Sequence, residues 1–123
     1  FLLIDRSNPG QALASMRRST EFLQKSGLSA WVMPEGTRSV DGSLGPFKRG
    51  FVHMALQSKL PVIPIVIHDA HIVWPMDKLI FKSAEVEVEM LDPIDTSHWN
   101  VRTAQDHAAS VRERIAHALA AKR

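Results

Sequence analysis

With 123 residues, 45% of them hydrophobic and 23% charged, the chain is long enough for one domain with a buried core and too apolar to stay disordered. The lack of cysteine excludes disulfides, thiolate-bound zinc and a thiol nucleophile. A net charge of +2 is too small to argue for nucleic acid by itself, but it suits anionic phosphates or lipid headgroups.

Phe1 to Ile4 is an apolar, strand-like run that ends in Asp5-Arg6. It carries no basic leader or cleavage site, and without an initiating Met it reads as the start of a cut chain rather than as a targeting segment. Ser7-Asn8-Pro9 supplies cap residues and a proline at a first helical position. From Pro9 to Lys25, Ala12, Leu13, Met16 and Leu23 keep helical spacing with Phe22 beside them, and Gly27 provides the stop. Leu28 to Pro34 predicts a buried strand with Trp31 in the core, and its carboxyl end delivers Glu35. Residues 36–50, with Asp41-Gly42 and Gly45-Pro46, predict a long loop, of the kind that often carries function.

Phe51, Val52, Ala55 and Leu56 share one face of a helix, and Pro61 to Ile67 follows as a second buried strand. The stretch from Leu60 to Ile67 contains two prolines and is far shorter than the roughly 20 residues that span a bilayer. The alternation of strand and helix predicts an α/β fold with a mixed, largely parallel sheet flanked by helices. Beyond His71, Leu79 to Phe81 and Glu85 to Leu91 read as strands; Val86, Val88 and Met90 alternate with three glutamates, so one face meets water. Ala104, Ala108, Val111, Ile115 and Leu119 predict a closing amphipathic helix over 101–122.

The residues with the most chemistry stand where the first buried strand ends. Glu35-Gly36-Thr37-Arg38-Ser39 places a carboxylate, a flexible glycine, two hydroxyls and a guanidinium at the carboxyl edge of the sheet, where open α/β folds bind ligands. Arg38 has planar donors suited to phosphate oxygens, Gly36 lets backbone N–H groups approach a ligand, and Thr37 and Ser39 add hydroxyls. Arg6 leaves the first strand at the same edge, and Lys48-Arg49 closes the loop, so three segments converge on one anion.

At these residues the chain resembles the phospholipid and glycerol acyltransferase family, of the 1-acyl-sn-glycerol-3-phosphate (lysophosphatidate) acyltransferase type. Leu3-Ile4-Asp5-Arg6 is similar to the end of the family's second motif and Glu35 to Ser39 to its third. Phe47-Lys48-Arg49-Gly50 is similar to the usual sequel of the third motif, and Leu60 to Val66 to the proline-bearing fourth. Four matches in the family's order cover the first half of the chain. Leu3 stands where the family usually has Phe, and the glycine that opens the second motif would precede Phe1. Family catalysis uses a His followed five positions later by Asp. None of His53, His68, His71, His98, His107 and His117 has Asp at that offset.

The resemblance implies a glycerol-3-phosphate acyltransferase-like αβα architecture, with residues 1–123 as a single domain that is the C-terminal portion of the family's domain. It implies acyl transfer from an acyl thioester, acyl-CoA or acyl carrier protein, to the free hydroxyl of 1-acylglycerol-3-phosphate, with a His base absent from this chain. Arg6 and Arg38 then bind the acceptor phosphate, Glu35 and Gly36 shape the glycerol site, Thr37 and Ser39 assist, and Lys48 touches phosphate or donor. No metal or other cofactor is implied. The implied partners are lysophosphatidate or a related phosphorylated glycerolipid, the thioester donor and an anionic membrane surface, at the cytoplasmic face and through segments outside this chain; nucleic acid is not among them. The isolated chain is expected to lack acyltransferase activity.

Plainer readings stand beside these. Either arginine alone suits a solvated or ion-paired surface position, Glu35 can cap a helix or pair with an arginine, and Lys48 and Arg49 can be ordinary loop charges. His68-Asp69-Ala70-His71 has spacing that invites a metal, but without a helical His pair or a cysteine it reads as a polar loop. Trp31, Trp74 and Trp99 are candidates for lipid contact, with the core the better place for Trp31; Arg17 and Arg18 on the first helix, with Lys25 near its end, are candidates for anionic headgroups, although a solvated helix face accounts for them. A non-catalytic phosphate- or phospholipid-binding module with the same fold is the alternative to an enzyme.

Overall fold

The computed structural model describes residues 9–76 and 79–122. Helix α1 (Pro9–Ser26) ends where Gly27 takes a left-handed φ of +67°, as the sequence predicts. Its buried positions include Leu23, Ser19 and Thr20. The two hydroxyls fold back on the helix, donating to the carbonyl oxygens of Ser15 and Met16, so their burial leaves no donor unmet.

Helix α2 (Gly50–Ser58) buries Phe51, Val52 and Ala55, the face read from the sequence. It stops at Lys59 in the left-handed region, whose N–H donates to Ala55 O. Gln24 of α1 donates from Nε2 to the carbonyls of Gln57 and Ser58, covering two of the acceptors that a helix end leaves open. Hydrogen bonds thereby join the two helices.

Strand β1 (Ile65–Ile67) leads through a single-turn helix α3 (Ala70–Val73) toward strand β2 (Val88–Met90). The two strands pair antiparallel, with Ile65 opposite Met90 and Ile67 opposite Val88, and an isolated bridge joins Val62 to Ile94. A 3-10 turn (Val101–Thr103), capped by Asn100 accepting from the Arg102 N–H, starts α4 (Ala104–Ala121). The core forms where α2 and α4 meet, from Phe47, Phe51, Val52, Ala55, Trp99, Ala104, Ala108 and Val111, with Ile115 packed against it.

Four expectations change. Within the described residues the sheet is the antiparallel pair β1–β2, rather than a parallel set. A strand exists through its ladder partner, and residues 28–33 pair with no other described segment, while Phe1–Ile4 lie outside the described residues. Trp31 accordingly leaves the core and is 63% exposed, whereas Trp99 enters it. Residues 79–81 form no strand. Along β2 the faces reverse: Val88 and Met90 are exposed at 59% and 68%, and Glu89 is the more covered residue because it pairs with His68, just past the end of β1.

Candidate functional site

The loop from Glu35 to Lys48 is built around its own glycines. A turn at Pro34-Glu35 lets the Gly36 N–H donate to Met33 O, with Gly36 at φ +71°. The Lys48 N–H then donates to Pro34 O at 2.9 Å and brings the two ends of the loop together. A Cβ on Gly36 would sit 2.9 Å from Lys48 Nζ, so the bare backbone is what lets the ammonium lie over this turn. Glu35 Oε2 accepts from the Gly45 N–H at 2.7 Å, and a Cβ there would lie 3.0 Å from the same oxygen. Among its observed contacts Glu35 therefore braces the loop from within.

Farther along, Asp41 Oδ1 accepts from the Ser39 hydroxyl and the Ser43 N–H. Hydrogen bonds from the side chain and N–H of Ser43, then from Ser39, lower its pKa to about 2. The His71 ring lies against Gly42, where a Cβ would come within 2.6 Å of it. From the other side Arg112 of α4 donates through Nε to Gly45 O at 2.8 Å and through Nη2 to Leu44 O at 2.6 Å. One guanidinium thus fastens the loop to the closing helix.

The loop forms one wall of a cleft of about 1070 Å³, whose other walls come from β1, α3, residues 85–88 and the C-terminal half of α4. Glu35, Thr37, Arg38 and Ser39 line it; Gly36 and Lys48 sit outside its lining and against each other. The Arg38 guanidinium carbon lies 4.3 Å from the centroid of the Trp74 ring. Of the proposed site residues, Glu35, Thr37, Arg38 and Ser39 are therefore brought to one cleft, while Gly36 and Lys48 lie beside it. Arg6 lies outside the described residues.

His68 and His71 do not share a ligand site. His68 Nε2 is 2.9 Å from Glu89 Oε2, while His71 packs on the loop glycine. Lys122, which also lines the cleft, bonds Glu87 and approaches Glu89 Oε2 at 3.8 Å, tying the end of α4 to β2. The bond to Lys122 lowers the Glu87 pKa and raises that of Lys122. Among the described residues no helix is long and apolar enough to cross a membrane.

Two residues of this site were not read from the sequence as such. Arg112 has one signal, since it falls four residues after Ala108 and three before Ile115, on the edge of the buried stripe. Trp74 has none, because its contact with Arg38 joins positions 36 residues apart.

The likeness to known proteins is specific. Residues 1–68 match the family described as Acyltransferase. The chain is 40% identical over 110 residues to the 1-acyl-sn-glycerol-3-phosphate acyltransferase of Limnanthes alba, covering 89% of this chain and 39% of that protein. It is 31% identical over 118 residues to 1-acyl-sn-glycerol-3-phosphate acyltransferase alpha of Homo sapiens, covering 96% and 40%. The crystal structure of the 1-acyl-sn-glycerophosphate (LPA) acyltransferase PlsC from Thermotoga maritima superimposes with a TM-score of 0.70 at 26% identity, over 83% of this chain and 44% of that one. The chain spans about two fifths of the length of these relatives. With residues 1–68 matching the family and the α/β fold shared with a solved relative, the chain belongs to the Acyltransferase family.

Proposed function

We propose that the protein containing this chain is a 1-acylglycerol-3-phosphate O-acyltransferase, and that this chain holds the acceptor's phosphate. The observation that carries the reading is the loop at Glu35–Ser39, which presents Thr37, Arg38 and Ser39 to one cleft, in a chain whose relatives bear that name. In the reaction the acceptor hydroxyl attacks the thioester carbonyl, a C–O bond forms, the C–S bond breaks and the hydroxyl proton passes through a base to the leaving thiolate. Arg38 binds the phosphate with Arg6, and Lys48 adds positive charge beside the turn. Glu35 and Gly36 give the glycerol site its shape by fixing the turn. The co-substrate is acyl-CoA or acyl carrier protein thioester, with no metal or other cofactor. A lipid acceptor and a net charge of +2 support a place at the anionic cytoplasmic face of a membrane.

The test is acyl transfer from oleoyl-coenzyme A by the native gene product, with 1-oleoylglycerol 3-phosphate compared with 1-oleoylglycerol. The reading expects a strong preference for the phosphorylated acceptor. Arg38→Ala is expected to raise the acceptor KM by roughly tenfold or more, the loss of about 1.5–3 kcal/mol from one charged hydrogen-bonding clamp. An unchanged acceptor KM refutes the phosphate assignment. The rival reading is a phosphate- or phospholipid-binding module without catalysis, which a native gene lacking a His followed five positions later by Asp would favour. Binding of the phosphorylated lipid without turnover by the native gene product selects it. The isolated chain is expected to be inactive under either reading.

A further inference from the structure

Trp74 belongs to none of the motif segments, yet Arg38 rests on it. It caps the C-terminus of α3, where its N–H donates to Ala70 O at 3.2 Å. Its ring contacts that of Phe81 with centroids 4.6 Å apart and planes at 45°. The Lys82 N–H donates to Val73 O at 2.8 Å and closes the segment that carries both rings. The platform under the guanidinium is therefore tethered at both ends, and through α3 it is joined to the carboxyl end of β1.

The kind of contact matters. A carboxylate partner would occupy the N–H donors of Arg38 and cancel its charge, whereas an indole face attracts the cation through its quadrupole and offers no lone pair in exchange. Among the described residues no ion pair or hydrogen bond engages the Arg38 guanidinium. Arg38 is exposed, so without the ring its long side chain would sample many rotamers, and ordering it would oppose binding.

We propose that Trp74, buttressed by Phe81, is a positioning residue that holds Arg38 toward the cleft with its donors free for the acceptor's phosphate; this rests on the acyltransferase reading above. A positioning role places the effect on acceptor binding rather than on the chemical step. It also makes the effect of Trp74 depend on the presence of Arg38.

The test uses the native gene product in two measurements: steady-state kinetics with oleoyl-coenzyme A and 1-oleoylglycerol 3-phosphate, and the Kd for glycerol 3-phosphate from NMR shifts. Trp74→Leu is expected to raise the acceptor KM and the glycerol 3-phosphate Kd by roughly three- to tenfold, with kcat and donor KM within about twofold. It is also expected to remove the upfield ring-current shift of the Arg38 side-chain protons. Trp74→Phe, which keeps an aromatic face, is expected to recover most of the affinity. In an Arg38→Ala background Trp74→Leu is expected to change neither constant further. An equal cost in that background overturns the proposal, as does a loss that Trp74→Phe leaves unrepaired. If the wild-type protein binds glycerol 3-phosphate but transfers no acyl group, the enzymatic reading fails while the Kd cycle alone decides the role of Trp74. If it binds no glycerol 3-phosphate, both fall.

Discussion

Arg112→Ala is the perturbation that tests how the site loop is held. The guanidinium makes two hydrogen bonds, to Leu44 O and Gly45 O, and the partly buried side chain joins the loop to α4 across 67 residues of sequence. Hydrogen bonds to a charged donor are worth about 1.5–3 kcal/mol each when buried; partial exposure here reduces the pair to about 2–3 kcal/mol in all. With an unfolding entropy of about 2.1 cal/mol/K per residue over this length, the expected fall in Tm is about 10 °C. Thermal unfolding followed by circular dichroism measures it, with urea unfolding checking that m is unchanged. Arg112→Lys is expected to recover less than half of the loss, because an ammonium on a flexible stem does not reproduce the planar fork across two carbonyls. A Tm lowered by less than about 2 °C in Arg112→Ala would show that the loop keeps its shape without α4, and the clamp reasoning would be wrong.

Gly36→Ala introduces a Cβ at φ +71° and 2.9 Å from Lys48 Nζ; it is expected to cost about 1 kcal/mol in urea unfolding and to raise the acceptor KM of the native gene product, an effect absent if the turn tolerates a side chain. Val52→Ala, at a fully buried position between α2 and α4, is expected to lower stability by about 2 kcal/mol, and a neutral result in urea unfolding would place the core elsewhere. The pKa of Asp41 is lowered from 3.8 to about 2, so the stability linked to its carboxylate is present above pH 3.8 and is lost as pH falls through 2. An NMR titration is expected to find its midpoint near 2 in the wild type and higher in Ser43→Ala; a midpoint unmoved by the substitution would exclude that hydroxyl as a cause.

The helices were legible in the sequence because each carries its signal locally. Pro9 and Gly27 bracket α1, and Phe51, Val52 and Ala55 recur on one turn of α2. The alanine-rich stripe from Ala104 to Val111 marks α4. The strands were less legible because a strand is completed by a partner elsewhere in the chain. Residues 28–33 have strand composition but no described partner, and β2 carries the period of a strand with its faces opposite to the hydrophobic expectation. His68 decides that reversal, since a buried imidazole just past the end of β1, with Nε2 2.9 Å from Glu89 Oε2, gives Glu89 a reason to be covered.

By itself the sequence determined the family's third-motif loop at Glu35–Ser39, its order relative to the proline-bearing segment at 60–66, and the absence from this chain of a His with Asp five residues on. These are properties of short runs of residues, and short runs carry them without help from the rest of the chain. Only the tertiary structure decided what each charged group meets. It put Glu35 on the Gly45 N–H, Arg112 on two loop carbonyls and Arg38 on Trp74. Such partners are chosen by which elements pack together, and the energy of a charge depends on its surroundings far more than on its neighbours in sequence.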